Sequence, residues 1–295
     1  MKAGIRTDLA MEARELWREG REAAEEIPGV TFDEEQRDGI RLTRVEIRSE
    51  EGVRELGKPQ GVYVTLEIES MLRREEDAFE SAVSLLAEQL RGCLELKEET
   101  KILVAGLGNR AVTPDAIGPE AADQVIVTRH LKTQIPQAFT GFRNVSVLRT
   151  GVMGTTGIES AEVIGAICET LQPDCIIALD ALASRETRRL CRTVQLTDTG
   201  IVPGSGVGNS RVALNRETLG VPVIAIGVPT VVDAGSLAAA LTGKTPDNDL
   251  PESAMIVTPR EIDQRVKEIS RLIGYGVNMA LHEELTIHDI DLFVC

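Results

Sequence analysis

Four short apolar runs constrain this chain most: Ile102 to Ala105, Val145 to Leu148, Cys175 to Leu179 and Val221 to Ile226. Each is followed by a turn rich in Gly or Pro, and helical patterns lie between them. Runs of this length without alternation fit strands buried on both faces. Strand–helix–strand succession predicts an α/β fold, a mostly parallel sheet flanked by helices with right-handed crossovers. Aromatic residues are only 3% of the 295, so Val, Ile, Leu and Ala have to fill the core.

The N-terminal third has another rhythm. Gly39 to Arg48 and Gly61 to Ile68 alternate apolar and polar residues, which predicts two half-buried strands. Thr7 to Glu26 predicts a helix capped by Thr7 or Asp8 and ended by Pro28-Gly29, and Arg73 to Leu96 predicts an amphipathic one. An additional β-hairpin and helix segment thus precedes the parallel sheet. Further on, Ser160 to Leu171 and Thr258 to His282 predict helices, the second with Thr258 as N-cap and Pro259 in its first turn. Ala240 to Glu252 reads as an exposed loop.

Charge narrows the partners. Lys and Arg total 32 against 47 Asp and Glu, a net charge of −15, which disfavours DNA and anionic membranes. No apolar run approaches the roughly 20 residues of a membrane helix. The first twenty residues mix charged and apolar types, unlike a signal peptide. Cys93, Cys168, Cys175, Cys191 and Cys295 form no CxxC and no zinc spacing. The reading is a cytosolic protein in a reducing compartment.

Asp115 and Asp180 each follow a buried-strand pattern. In an open α/β sheet the carboxyl ends of the strands face the ligand crevice. Two carboxylates there can share one proton and run acid/base hydrolysis. Each also has a plainer reading, Asp180 as a helix N-cap and Asp115 as a turn residue after Pro114.

Two glycine-rich loops accompany them. Gly151, Gly154, Thr155 and Gly157 follow one strand, and Gly204, Gly206 and Gly208 lie in another loop; both offer backbone groups to an extended peptide. Ser205 between glycines hints at a nucleophile, but the GxSxG elbow is absent, and His130, His282 and His288 offer no strong base. Gly106-Leu107-Gly108 lacks the GxGxxG and Walker patterns of nucleotide sites. Asp115, Asp180 and a histidine would make a zinc site, without a local signature to support it. Spacing alone leaves aspartate, metal and serine routes open, and a non-enzymatic ligand-binding module as well.

Ordered blocks along the chain resemble the spore germination proteases of endospore-forming bacteria. They are Ile5 to Ala13, Leu107 to Pro119, Gly151 to Glu159, Ile177 to Ala183, Pro203 to Asn209, Ile224 to Asp233 and Val257 to Asp263. The resemblance implies a fold similar to that of hydrogenase maturation proteases. It also implies an endopeptidase that degrades small acid-soluble spore proteins, located in the spore core. It implies an atypical aspartic-type protease with Asp115 and Asp180 catalytic, no metal or other cofactor, and a homotetramer made as an inactive zymogen. Thr7 to Glu12 resembles the family's substrate site, which places self-cleavage between Asp8 and Leu9. Residues 1–8 are then a propeptide, and 9–295 a single peptidase domain with 9–98 as N-terminal strands and helices and 99–295 as the parallel-sheet core. The stretch before Asp8 and the segment Gly235 to Ala254 are both shorter than the family pattern. The alternative is a metal-dependent maturation-type peptidase on the same fold.

Overall fold

The computed structural model describes residues 7–19, 26–208, 211–242 and 255–294. Their strands form one sheet, with β1 (Val30–Arg37), β2 (Ile40–Ile47), β3 (Gly61–Glu67), β4 (Lys101–Leu107), β5 (Asn144–Gly151), β6 (Cys175–Ser184), β7 (Thr193–Thr197), β8 (Val223–Asp233) and β9 (Ile256–Val257). The spatial order is β1-β2-β3-β7-β8-β6-β4-β5, and β9 pairs with β8. The pairs β5/β4, β4/β6 and β6/β8 are parallel, formed by the four apolar runs. The N-terminal strands do not stand apart. They extend the same sheet through antiparallel pairs β1/β2, β2/β3, β3/β7 and β7/β8, so the whole is a mixed sheet around a parallel centre.

The helices are α1 (Ala10–Arg18), α2 (Glu50–Leu56), α3 (Glu69–Leu72), α4 (Ala78–Cys93), α5 (Ile117–Asp123), α6 (Arg129–Gln134), α7 (Met153–Thr156), α8 (Ser160–Leu171), α9 (Arg216–Leu219), α10 (Ala234–Thr242), α11 (Ile262–Leu281) and α12 (Ile287–Val294). Side chains alternate across a strand, so each central strand feeds two layers. Ile102 and Val104 of β4, with Ile177 and Leu179 of β6, pack into the layer built by α4, α5 and α11. Leu103 and Ala105, with Ile176 and Ala178, pack under Ile164 of α8 on the other face. A third layer joins Ala10 and Ala13 of α1 to Val45, Ile47 and Tyr63.

Several ends differ from the sequence expectation. Helix α1 begins at Ala10, and neither Thr7 nor Asp8 caps it; both side chains are engaged elsewhere, as described below. Its predicted continuation over residues 20–25 lies outside the described residues. Thr258 does not cap α11, because its hydroxyl donates to the Thr230 carbonyl at 2.8 Å, and the helix starts at Ile262. The start of the predicted 240–252 loop is helical, since α10 runs to Thr242, and the rest lies outside the described residues. No described helix is long and apolar enough to cross a membrane.

Candidate active site

Strands β4 and β6 pair as far as Gly106 and Leu179, Asp180 is the next residue of β6, and Asp115, in the loop after β4, is near enough for its charge to act on Asp180. Asp180 lies within β6 on the same face as Ile176 and Ala178, and only 5% of it is exposed. Asp115 closes the loop that follows β4, in a short 3-10 turn, Thr113–Asp115. The Asn109 amide donates to its Oδ2 at 2.8 Å, and Thr230 of β8 donates its hydroxyl to the Pro114 carbonyl at 2.6 Å. The loop can come this low because residue 118 is glycine. A Cβ there would stand 2.1 Å from the Leu107 carbonyl oxygen and 2.4 Å from that of Leu179, so α5 rests directly on the ends of β4 and β6.

The electrostatics follow from burial. Desolvation raises the Asp180 carboxyl well above its ordinary 3.8; the charge of Asp115 adds to this, the Ala181 amide at 2.9 Å opposes it, and Asp8 adds a smaller push. Burial also raises Asp115, against the Asn109 amide. Two carboxyls that interact in a desolvated cleft titrate as a pair and hold one proton over a wide pH range. Such a pair offers one base and one acid to the same bond.

The Asp8–Leu9 peptide is docked next to this pair. The Asp8 amide donates to the Ala183 carbonyl at 3.1 Å, as an added strand on β6 would. The Asp8 carboxylate accepts from the Ala183 amide at 2.9 Å and from the Ser205 hydroxyl at 2.6 Å. Leu9 is fully buried and clusters with Met11 and Leu182. Leu182 is two residues from Asp180, on the same strand face. Thr7 Oγ1 accepts from the Leu9 amide at 3.0 Å and donates to the Glu12 carboxylate. Glu12 also accepts from the amides of Arg185 and Glu186 at 2.7 and 3.1 Å. A cavity of about 360 Å³ opens beside Asp8, bordered by Lys58, Tyr63, Leu182, Gln195 and Ser205.

The two glycine loops fare differently. Gly204 and Gly208 bound the turn Ser205–Val207, and Gly206 lies against the Asp8 carboxylate: a Cβ there would be 2.2 Å from Asp8 Oδ2. Ser205, whose position hinted at a nucleophile, instead donates to Asp8. The Gly151 loop holds the one-turn helix α7, where the Thr155 amide bonds to Val152 O and the Gly157 amide to Met153 O. Those two amides are bonded within the turn. The segment around Gly154 exposes Met153 and Ile158 together with Thr155 and Thr156. Lys58, Gln195 and Arg189, which contact the stretch from Thr7 to Glu15, and Thr230, which contacts Pro114, carried no sequence signal, because these partners are remote in the chain.

The histidines do not complete a triad or a metal site with the pair. His282 is buried at the end of α11 beside Phe142, while His130 and His288 are exposed. Among the described residues no three His, Cys, Asp or Glu side chains gather as metal ligands. Cys93, Cys168, Cys175 and Cys191 are all free thiols.

Comparison with known proteins adds the biological frame. The sequence model of the family described as germination protease matches residues 10–242. The germination protease of Caldanaerobacter subterraneus subsp. tengcongensis is 43% identical over 315 aligned positions, covering 96% of each chain. That of Clostridium perfringens is 40% identical, covering 98% of this chain and 99% of the relative. That of a Geobacillus strain is 36% identical over 352 positions, covering 95% and 94%. These alignments are longer than the 295-residue chain, so the relatives carry insertions against it. A nickel–iron hydrogenase maturation protease from Thermococcus kodakarensis aligns with a TM-score of 0.37 and 18% identity over 64% of this chain and 98% of that one, too distant to add to the argument.

Proposed function

The chain belongs to the germination protease family, whose name marks a peptidase of spore germination, and from that premise we propose that it is a self-processing aspartic-type endopeptidase. Asp115 and Asp180 carry the chemistry. The ionised member of the pair takes a proton from water, and the water oxygen attacks the peptide carbonyl carbon. The protonated member delivers a proton to the leaving nitrogen. No cofactor enters these steps.

The observation that carries this reading is the docking of Asp8–Leu9 beside Asp180. The chain's own segment lies along β6, with its acidic side chain held by Ser205 and the Ala183 amide. Residues 1–8 are then a propeptide whose described end, Thr7-Asp8, occupies the cleft of a zymogen, and residues 9–295 are the peptidase. Substrates in trans enter the same way, an acidic side chain in the Gly204–Gly208 turn and the following residues past Leu182. The Gly151–Gly157 loop binds extended substrate through its backbone, beside the exposed Met153, Thr155 and Thr156. Small acid-soluble spore proteins fit as substrates, since the Thr7–Glu12 segment resembles their cleavage site. Enzyme and substrates would share the spore core, with the enzyme as a homotetramer. Acidification adds protons to the pair, and this links pH to activation.

N-terminal sequencing of the self-processed chain tests the proposal. The mature protein should begin at Leu9, and a different start would refute the assignment of the cleft. Size-exclusion chromatography with light scattering tests the tetramer, with four times 32.0 kDa expected.

A further inference from the structure

Two side chains outside the aspartate pair converge on one carbonyl oxygen. Lys58 Nζ donates to Asp8 O at 3.1 Å, and Gln195 Nε2 donates to the same oxygen at 3.2 Å. Lys58 lies between α2 and β3, and Gln195 lies in β7, so two separate parts of the fold meet here. The Gln195 amide is oriented from its other end, because Oε1 accepts from the Ala10 amide at 2.8 Å. Lys58 also donates to Thr7 O at 2.9 Å. Both groups contact main chain, so they would engage any peptide in this position whatever its side chains.

We propose that Lys58 and Gln195 are the oxyanion site of this peptidase, catalytic residues that stabilise the charge developing on the carbonyl oxygen of the bond being cut. The inference rests on the reading above, in which that bond is Asp8–Leu9. Water adds to the Asp8 carbonyl carbon and loses a proton to the ionised carboxyl of the pair. The carbonyl π electrons move to the oxygen, which becomes an alkoxide between Lys58 and Gln195. Collapse restores the C=O bond and breaks the C–N bond, and the Leu9 nitrogen takes a proton from the pair. A neutral carbonyl gains little from an ammonium and an amide, whereas an alkoxide in a water-poor cleft gains much. Donors fixed in advance therefore favour the transition state. This division of labour frees the protonated aspartate to serve the leaving nitrogen.

The environment of Lys58 gives the idea a signature. Burial lowers its ammonium below the usual 10.5, against the charges of Asp8 and Glu12. Those two acids come from the docked segment, and the Tyr63 hydroxyl of β3 borders the same cavity. Deprotonation of Lys58 then sets an alkaline limb on the rate, one that an arginine would not show.

The test is self-cleavage of the full chain, followed by intact mass and N-terminal sequencing across pH. Hydrogen exchange of the 7–12 segment is read in parallel. Lys58→Met is expected to slow cleavage by about 100- to 1,000-fold while the Ala10 amide stays protected. Gln195→Glu keeps the acceptor for Ala10 and removes the donor to Asp8, and it is expected to slow cleavage as well. Lys58→Arg should recover part of the rate and lose the alkaline limb. Unchanged cleavage in Lys58→Met overturns the proposal. So does slow cleavage accompanied by lost protection at Ala10, because Lys58 would then be only a latch for the segment. A wild-type product that starts elsewhere than Leu9 overturns the processing reading and this inference with it. A Leu9 start with a fully active Lys58→Met overturns this inference alone.

Discussion

Glu12 and Arg189 form an ion pair at 3.5 Å in which the two side chains are only 1% and 5% exposed. The pair ties the first turn of α1 to the segment after β6. Arg189 also makes two bonds to Glu15, at 2.7 and 2.8 Å. Breaking a buried pair from one side leaves an uncompensated charge, at a cost of about 3–5 kcal/mol. Arg189→Met should therefore lower stability by that order in urea denaturation. Glu12→Gln should cost much less, because an amide oxygen can still accept from Arg185 or Glu186 and the buried Arg189 keeps Glu15 and Glu186 as ion-pair partners.

Asp180→Asn should abolish proteolysis yet stabilise the fold at neutral pH. The folded-state carboxyl is raised, mainly by burial, so the native state binds its proton more tightly than the unfolded chain does. The stability this contributes is present below the ordinary value of 3.8 and is lost as pH rises through the folded value. Thermal melting across pH should show the variant ahead of wild type at pH 7 and the two converging near pH 3.5 or below. A variant less stable than wild type at pH 7 would contradict the buried, proton-retaining aspartate.

Asp115→Asn separates the two carboxyls. Its charge is one cause of the Asp180 elevation, so its removal should bring the Asp180 carboxyl down toward the usual range. Cleavage should fall by about 100- to 10,000-fold, the usual scale for loss of an acid/base group. NMR titration of the labelled Asp180 carboxyl in wild type and variant checks the direction. An Asp180 titration that does not move would show that the two groups act separately.

The parallel centre was legible because strands buried on both faces leave unbroken apolar runs, as in Cys175 to Leu179. The placement of Asp115 after β4 and of Asp180 in the neighbouring β6 was legible because each follows a buried-strand pattern. Strand β7 was not. Thr193, Gln195 and Thr197 look polar along the chain, yet they are buried, partly under the docked N-terminal segment. Strand β1 reads Val-Thr-Phe-Asp-Glu-Glu-Gln-Arg, mostly exposed at a sheet edge, so it has no apolar face to announce it. Ser205, Lys58 and Gln195 gain their roles only when a segment 50 to 197 residues away arrives beside them. Local periodicity holds no trace of such contacts.

Ser205→Ala separates aspartate from serine chemistry. The hydroxyl donates to the Asp8 carboxylate at 2.6 Å, a bond to a charged group. Such bonds contribute about 1.5–3 kcal/mol, so self-cleavage should weaken by about 10- to 100-fold through poorer docking. It should persist, with the product still starting at Leu9. Complete loss of cleavage in a folded Ser205→Ala protein would instead make Ser205 the nucleophile.

Gly118→Ala tests whether the seat of the Asp115 loop depends on the close approach of α5. The added Cβ would meet the Leu107 and Leu179 carbonyl oxygens at 2.1 and 2.4 Å, and both are backbone atoms of central strands that cannot swing aside. The helix has to lift, and Asp115 lifts with it. Overpacking of this kind costs about 1–3 kcal/mol or more, so the melting temperature should drop by several degrees. Cleavage should fall further than stability alone explains, because the two carboxyls separate. Comparison with Gly165→Ala on α8, where no atom lies within 4 Å of the added Cβ, supplies the control. That variant should cleave and melt as wild type or slightly above it, since alanine is the better helix former.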